Sequence, residues 1–205
     1  MKIEEIEYTP NPNAVKFVLD EQLTPPGTTA EFKSAEEAED VKLAREIFAI
    51  DHVISVFYTG AWLTVTQDGE VDWHGLMREV AEPIREATAA DASLGGQFEA
   101  RARARAEAEG DEDMGMDDPR VAQIQRILDE EVMPFLAGDG GGLEIKGLID
   151  NQLLIKYQGA CGTCPSATMG TLMAIENLVR TEIDPEIEVV SVDAGPVAAG
   201  GYPFW

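Results

Sequence analysis

Hydrophobic positions along this chain recur with periods of two and of about 3.6 residues, and the changes between those periods mark out two blocks. In the first block, Ile3, Ile6 and Tyr8 alternate imperfectly with acidic residues and predict an edge strand over residues 2–8. Thr9-Pro-Asn-Pro-Asn13 predicts a turn, because each proline biases the residue before it away from helix. Ala14 to Leu19 then reads as a second strand. Ser34 followed three positions later by Glu37 has the spacing of a capping box and predicts helix as far as Phe48, with a break near Asp40. Val53 to Thr59 and Ala61 to Gln67 form a predicted hairpin that turns at Thr-Gly. Asp72 is placed to cap a last helix in which Trp73, Leu76, Met77, Val80 and Ile84 share one apolar face. Val71 and Leu76 fit a hydrophobic staple across that cap.

The second block begins at Asp118-Pro119, where Val121, Ile124, Leu128 and Val132 recur at helical spacing and Pro134 ends or kinks the helix. Leu143 to Leu148, Gln152 to Tyr157 and Ile187 to Val192 predict three strands. Between the last two, Met169, Leu172, Met173, Val179 and Ile183 form a helical stripe, so those two strands are expected to be parallel neighbours joined by a crossover. The predicted fold class is α+β, with one small α+β domain over residues 1–87 and another over 119–193. A flexible acidic and Ala/Arg-rich linker, 88–118, joins them. Its i,i+4 pairs (Glu99–Arg103, Arg103–Glu107, Arg105–Glu109) favour transient helix, but only alanine is available to bury. The aromatic tail 194–205 fits neither domain.

Composition narrows the classes. Fifteen Lys and Arg against 39 Asp and Glu give a formal charge of −24, spread over both blocks and the linker. With no basic patch, nucleic acid and anionic membranes are not expected partners. No apolar run approaches the roughly 20 residues of a membrane helix. Two cysteines and a charged opening, Met1-Lys-Ile-Glu-Glu, favour a reducing, cytoplasmic setting.

Those two cysteines carry the chemistry. Cys161 and Cys164 stand in Cys161-Gly-Thr-Cys164-Pro165, one turn apart, between a predicted strand and a predicted helix. Pro165 suits the first helical position, which puts Cys164 at a helix N-terminus, where backbone N–H groups and the helix dipole favour thiolate. A disulfide framework needs more pairs than this chain has. A tetrahedral sulfur centre, zinc or iron–sulfur, normally takes four protein ligands. Two further sulfurs would have to come from a second copy of the chain or from a small thiol. The same spacing at a helix N-terminus also fits a thiol–disulfide oxidoreductase, and a zinc-linked dimer is the third reading.

Gln158-Gly-Ala-Cys-Gly-Thr-Cys-Pro-Ser166, with Thr168-Met169 and the helix behind it, resembles the C-terminal domain of NifU-like iron–sulfur scaffold proteins. Val132-Met-Pro-Phe-Leu136 followed by Gly138-Asp-Gly-Gly141 is similar to that domain's proline-containing helix and glycine turn. Thr9-Pro-Asn-Pro-Asn13-Ala-Val-Lys-Phe17 resembles the opening of the Nfu N-terminal domain. Gly142 departs from the polar residue more usual after the double glycine. The resemblance covers all but the middle segment and the tail. It implies a carrier that is not an enzyme, with a [4Fe–4S] cluster bridging a homodimer through Cys161 and Cys164 of each chain. It also implies transfer to apo iron–sulfur client proteins, positioned by the N-terminal domain.

Other polar residues read as structural. His52 and His74 have no ligand-spaced partners, and Asp139 sits in a glycine-rich turn where backbone geometry explains it. Met169 and Met173 are expected to face the core. If their turn is exposed, neither cysteine fills the core and serine at either position would leave the fold intact. No Ser/His/Asp set, paired acids or phosphate loop is visible, so hydrolysis and phosphoryl transfer have no machinery.

Overall fold

A computed structural model of the chain describes residues 1–25, 27–92, 114–163 and 165–192. The central part of the expected linker and the tail from residue 193 lie outside the described residues.

The period-two pattern of the first block produces five antiparallel strands: β1 (Ile3–Tyr8), β2 (Ala14–Leu19), β3 (Thr29–Phe32), β4 (Val53–Thr59) and β5 (Trp62–Gln67). Their order across the sheet is β1-β2-β5-β4-β3. The register fixes what each face carries. Ile6, Phe17, Leu63, Tyr58 and Ala30 line up across one face, beside a second row of Tyr8, Val15, Val65, Val56 and Phe32. Helices α1 (Lys42–Phe48) and α2 (Trp73–Glu86) bury their apolar sides against that face through Leu43, Ala44, Ile47, Leu76, Val80 and Ile84. A short helix, α3 (Ala89–Ala92), adds Ala92 to the same core. The opposite face carries the row Glu7, Lys16, Thr64, Phe57 and Glu31.

The Asp72 cap is present, its carboxylate accepting from the His74 N–H at 2.8 Å. The stretch before α1 differs from expectation. Ser34 Oγ accepts from Glu37 N–H at 3.2 Å, but Glu37 turns back to Lys33 N–H, and residues 34–40 form turns instead of helix. Glu36, Glu37, Glu39 and Asp40 crowd this stretch with like charge, and Val41 is extended (φ −111°). Strand β3, at 4 residues, is too short to show a period in the sequence.

In the second domain, β6 (Gly141–Ile149) pairs antiparallel with β7 (Gln152–Gly159), and β8 (Glu188–Ser191) runs parallel to β7 through the expected crossover. Asp150 and Asn151 both have positive φ (46° and 66°), as a two-residue hairpin turn requires. Pro134 separates α4 (Pro119–Glu131) from a short helix α5 (Met133–Gly138) at Val132. Helix α6 (Pro165–Glu182) buries Ile175 and Val179 on the sheet with Val121, Ile124 and Leu128 of α4. Met173, expected inside, is 63% exposed, because the stripe that meets the sheet runs through Leu172, Ile175 and Val179. The Met169 side chain lies outside the described residues.

Arg120 ties this domain together at the end far from β7's glycine terminus. Its guanidinium pairs with Asp118, and its Nη1 reaches Asn151 Oδ1 and Asp184 Oδ2, both at 2.9 Å. The hydrogen bonds from Arg120 hold the Asp118 carboxyl below its ordinary value of 3.8.

Two outcomes test this packing. Leu128→Ala, at a fully buried position, should destabilise the second domain by about 2–5 kcal/mol, read from urea unfolding with a probe in that domain. Because the Asp118 pKa is depressed on folding, its contribution is present above 3.8 and is lost as pH falls through the lower folded value. Arg120→Met should therefore flatten the loss of stability on acidification below that pH, measured as melting temperature against pH.

Candidate functional site

Strand β7 ends at Gly159, whose positive φ (62°) swings the chain into a single 3-10 turn, Ala160–Thr163, ahead of α6. Cys161 lies on that turn and is 4% exposed, packed with the core of the second domain. This corrects the expectation of an exposed thiol: serine here would put a hydroxyl into an apolar pocket and carry a folding cost. Cys164, the other expected ligand, lies outside the described residues.

Glycine makes the room around the sulfur. A Cβ on Gly141 would stand 2.6 Å from Cys161 Sγ, so the start of β6 can lie against the thiol only without a side chain. Burial, and next the Cys161 sulfur, push the Tyr157 hydroxyl pKa upward, so this phenol stays protonated beside the thiol. The sulfur fills the space that a side chain on Gly141 would take, and as a soft donor it suits a thiolate-ligated metal centre. His52 pairs with Asp68 at 3.0 Å, and no group of three or more His, Cys, Asp or Glu forms a metal site among the described residues. The Asp139 N–H closes α5 on Phe135 O at 3.0 Å.

The site extends beyond the second domain. The row on the outer face of the five-stranded sheet lies against the glycine and cysteine turns. Lys16 Nζ donates to Ala137 O at 3.1 Å, and Thr64 Oγ1 donates to Gly140 O at 2.7 Å. That Gly140 carbonyl also accepts the Ala160 N–H at 3.1 Å. Glu31 Oε1 accepts the Gly159 N–H at 2.9 Å. Phe57, fully buried although outside its own domain's core, lies on Gly159, where a Cβ would come within 2.7 Å of the ring. From the turn before β2, Asn11 Nδ2 donates to Ala160 O at 2.9 Å and Thr163 Oγ1 at 2.8 Å. Thr29 Oγ1 donates to Gln158 Oε1 at 2.8 Å.

None of these first-domain residues was expected at the site. Lys16, Thr64 and Glu31 alternate with buried positions and so carry the signal of a solvent-facing side. The one available hint was Phe57, an aromatic residue in the polar phase of the alternation.

The scaffold protein Nfu/NifU N-terminal family matches residues 3–91, and the NifU-like domain family matches residues 124–190. The human "NFU1 iron-sulfur cluster scaffold homolog, mitochondrial" is 32% identical over 89% of this chain and 68% of its own length. "NifU-like protein 5, mitochondrial" of Arabidopsis thaliana is 31% identical, over 93% of this chain and 71% of its own. A Drosophila virilis protein with the same name as the human one is 30% identical, and the chain spans only 58% of its length. With both domain families matched in this order, the chain belongs to the Nfu-type, NifU-like family.

Proposed function

We propose that this chain is an iron–sulfur cluster scaffold and carrier that holds its cargo between two copies of itself and passes it to apo-proteins. The observation that carries this reading is the Cys161 thiol on a strand-to-helix turn, its sulfur seated against Gly141 where any side chain would clash with it. Its relatives' names, which include "iron-sulfur cluster scaffold", agree with it.

Each chain brings Cys161 and Cys164, half of the four thiolates that a [4Fe–4S] cluster takes. A second chain related by a two-fold axis supplies the other pair from the same turn. Thiolates on a soft centre exchange readily, so a client's cysteines replace the carrier's one at a time. The protein's part is ligation and presentation, without catalysis. No helix among the described residues is long and apolar enough to cross a membrane. The setting in this reading is a reducing one, which keeps both thiols available. The relatives named above are mitochondrial by name.

Anaerobic reconstitution followed by iron, sulfide and mass analysis tests this. The holo protein should carry about four iron and about four sulfide per two chains. It should sediment as a dimer, and removal of iron should return it to monomer, because binding and association share one equilibrium. Cys164→Ser and Cys161→Ser should each lose stable cluster and cluster-dependent dimer together. The second should also lose about 1–3 kcal/mol of stability from the buried hydroxyl. Zinc without sulfide, or a monomer holding a full cluster, would reject the bridged carrier.

A further inference from the structure

The turn that must meet a second copy is already engaged. Asn11 holds Ala160 and Thr163, the residues on either side of Cys161 and Gly162. Glu31 and Phe57 hold Gly159 from below, and Thr64 and Lys16 hold the neighbouring glycine turn through Gly140 and Ala137. Every one of these side chains belongs to the first domain, and every group they hold belongs to the second. The contact is a matched one. A polar side chain buried without partners is costly, yet Thr64 (fully buried) and Asn11 (4% exposed) direct their hydrogen bonds across the domain boundary. Lys16 divides its ammonium between Ala137 O and Glu7 at 2.8 Å, with the Trp62 ring centroid 4.9 Å away. The glycines are matched too: Gly140 has φ 77° and would bring a Cβ within 2.8 Å of Thr9 and 3.1 Å of Thr64.

We propose that the outer face of the five-stranded sheet is a built-in cover for the chain's own cysteine turn, and that the two domains must part before two turns can share a cluster. The proposal rests on the bridged-carrier reading above. Two turns that bind one cluster must approach within bonding distance of the same few iron atoms. A sheet face seated on Gly159, Ala160 and Thr163 takes up the space beside Cys161 that the second turn requires. The closed form is therefore the apo monomer, with Cys161 shielded, and the open form is the one competent to load. Cluster affinity is reduced by the fraction of molecules that are closed, and whatever weakens the cover raises it. The arrangement couples loading to a change of shape.

The test uses the full-length apo protein, alkylated with N-ethylmaleimide under native conditions and read at the Cys161 peptide by mass spectrometry. If closure governs access, the labelling rate follows the open fraction. Thr64→Val, which removes one cross-domain hydrogen bond, should raise the rate about fivefold. Phe57→Asp, which places an unpaired charge in the interface, should raise it on the order of a hundredfold. Small-angle scattering should show a larger radius of gyration for Phe57→Asp than for wild type. Circular dichroism checks that each variant is folded; should Phe57→Asp unfold, Thr64→Val and Asn11→Ala carry the comparison. Equal Cys161 labelling in folded variants and wild type would overturn the cover, as would equal radii. Because no cluster is present in this experiment, that result leaves the carrier reading intact. Absence of iron and sulfide from reconstituted wild type would sink the carrier and leave the closed contact standing.

Discussion

The carbonyl of Gly140 accepts two hydrogen bonds, one from the Ala160 N–H of its own domain and one from the Thr64 hydroxyl of the other. Much of the arrangement around the cysteine turn depends on that convergence. The first bond holds the glycine turn after α5 against the 3-10 turn that carries Cys161. The second locks both to the first domain's sheet. A carbonyl has two lone pairs, and here each serves a different level of organisation. Gly140 reaches this geometry with positive φ and no side chain, and Gly159 does the same across the ladder.

Glycine and cysteine thus act as one unit. Gly141 opposes Gly159 in the β6–β7 ladder, and the space left by its missing side chain is where the Cys161 sulfur lies. A thiol held this way is fixed by backbone as well as by the side chains of its domain's core. Tyr157, kept protonated by burial, adds a polar but uncharged neighbour. The cost is that Cys161 is part of a folded core, so its chemistry and the stability of the domain are linked.

Among the described residues, the two domains keep separate apolar cores, and their contact is made largely of polar side chains and glycine backbone. Such a contact parts more easily than an apolar one, since the exposed groups are rehydrated when it opens. Phe57 is the exception, and its burial supplies the apolar centre that a purely polar interface would lack.

Much of this protein was legible in order. Runs rich in aliphatic and β-branched residues at Ala14–Leu19, Val53–Thr59 and Gln152–Tyr157 marked strands because such side chains pack well on a pleated surface, and Asp72 and Asp118 marked helix starts because their carboxylates satisfy orphan N–H groups. The Cys161–Cys164 spacing and the glycines upstream were enough to nominate a candidate thiolate turn. Where sequence reasoning failed, local charge crowding or long-range packing had decided the matter. Ser34 and Glu37 carry a helix-start pattern, yet the acidic crowd after them closed only turns. Met173 shares a helical stripe with buried residues, but the position of the sheet selected Ile175 and Val179 instead. Alternation shows which residues share a face and says nothing about what covers that face. Lys16, Thr64 and Glu31 therefore had the pattern of a wet surface. Only the tertiary structure brought a glycine turn onto them, because their partners are backbone groups more than 70 residues away, and a backbone carbonyl leaves no mark in the sequence that could announce the pairing.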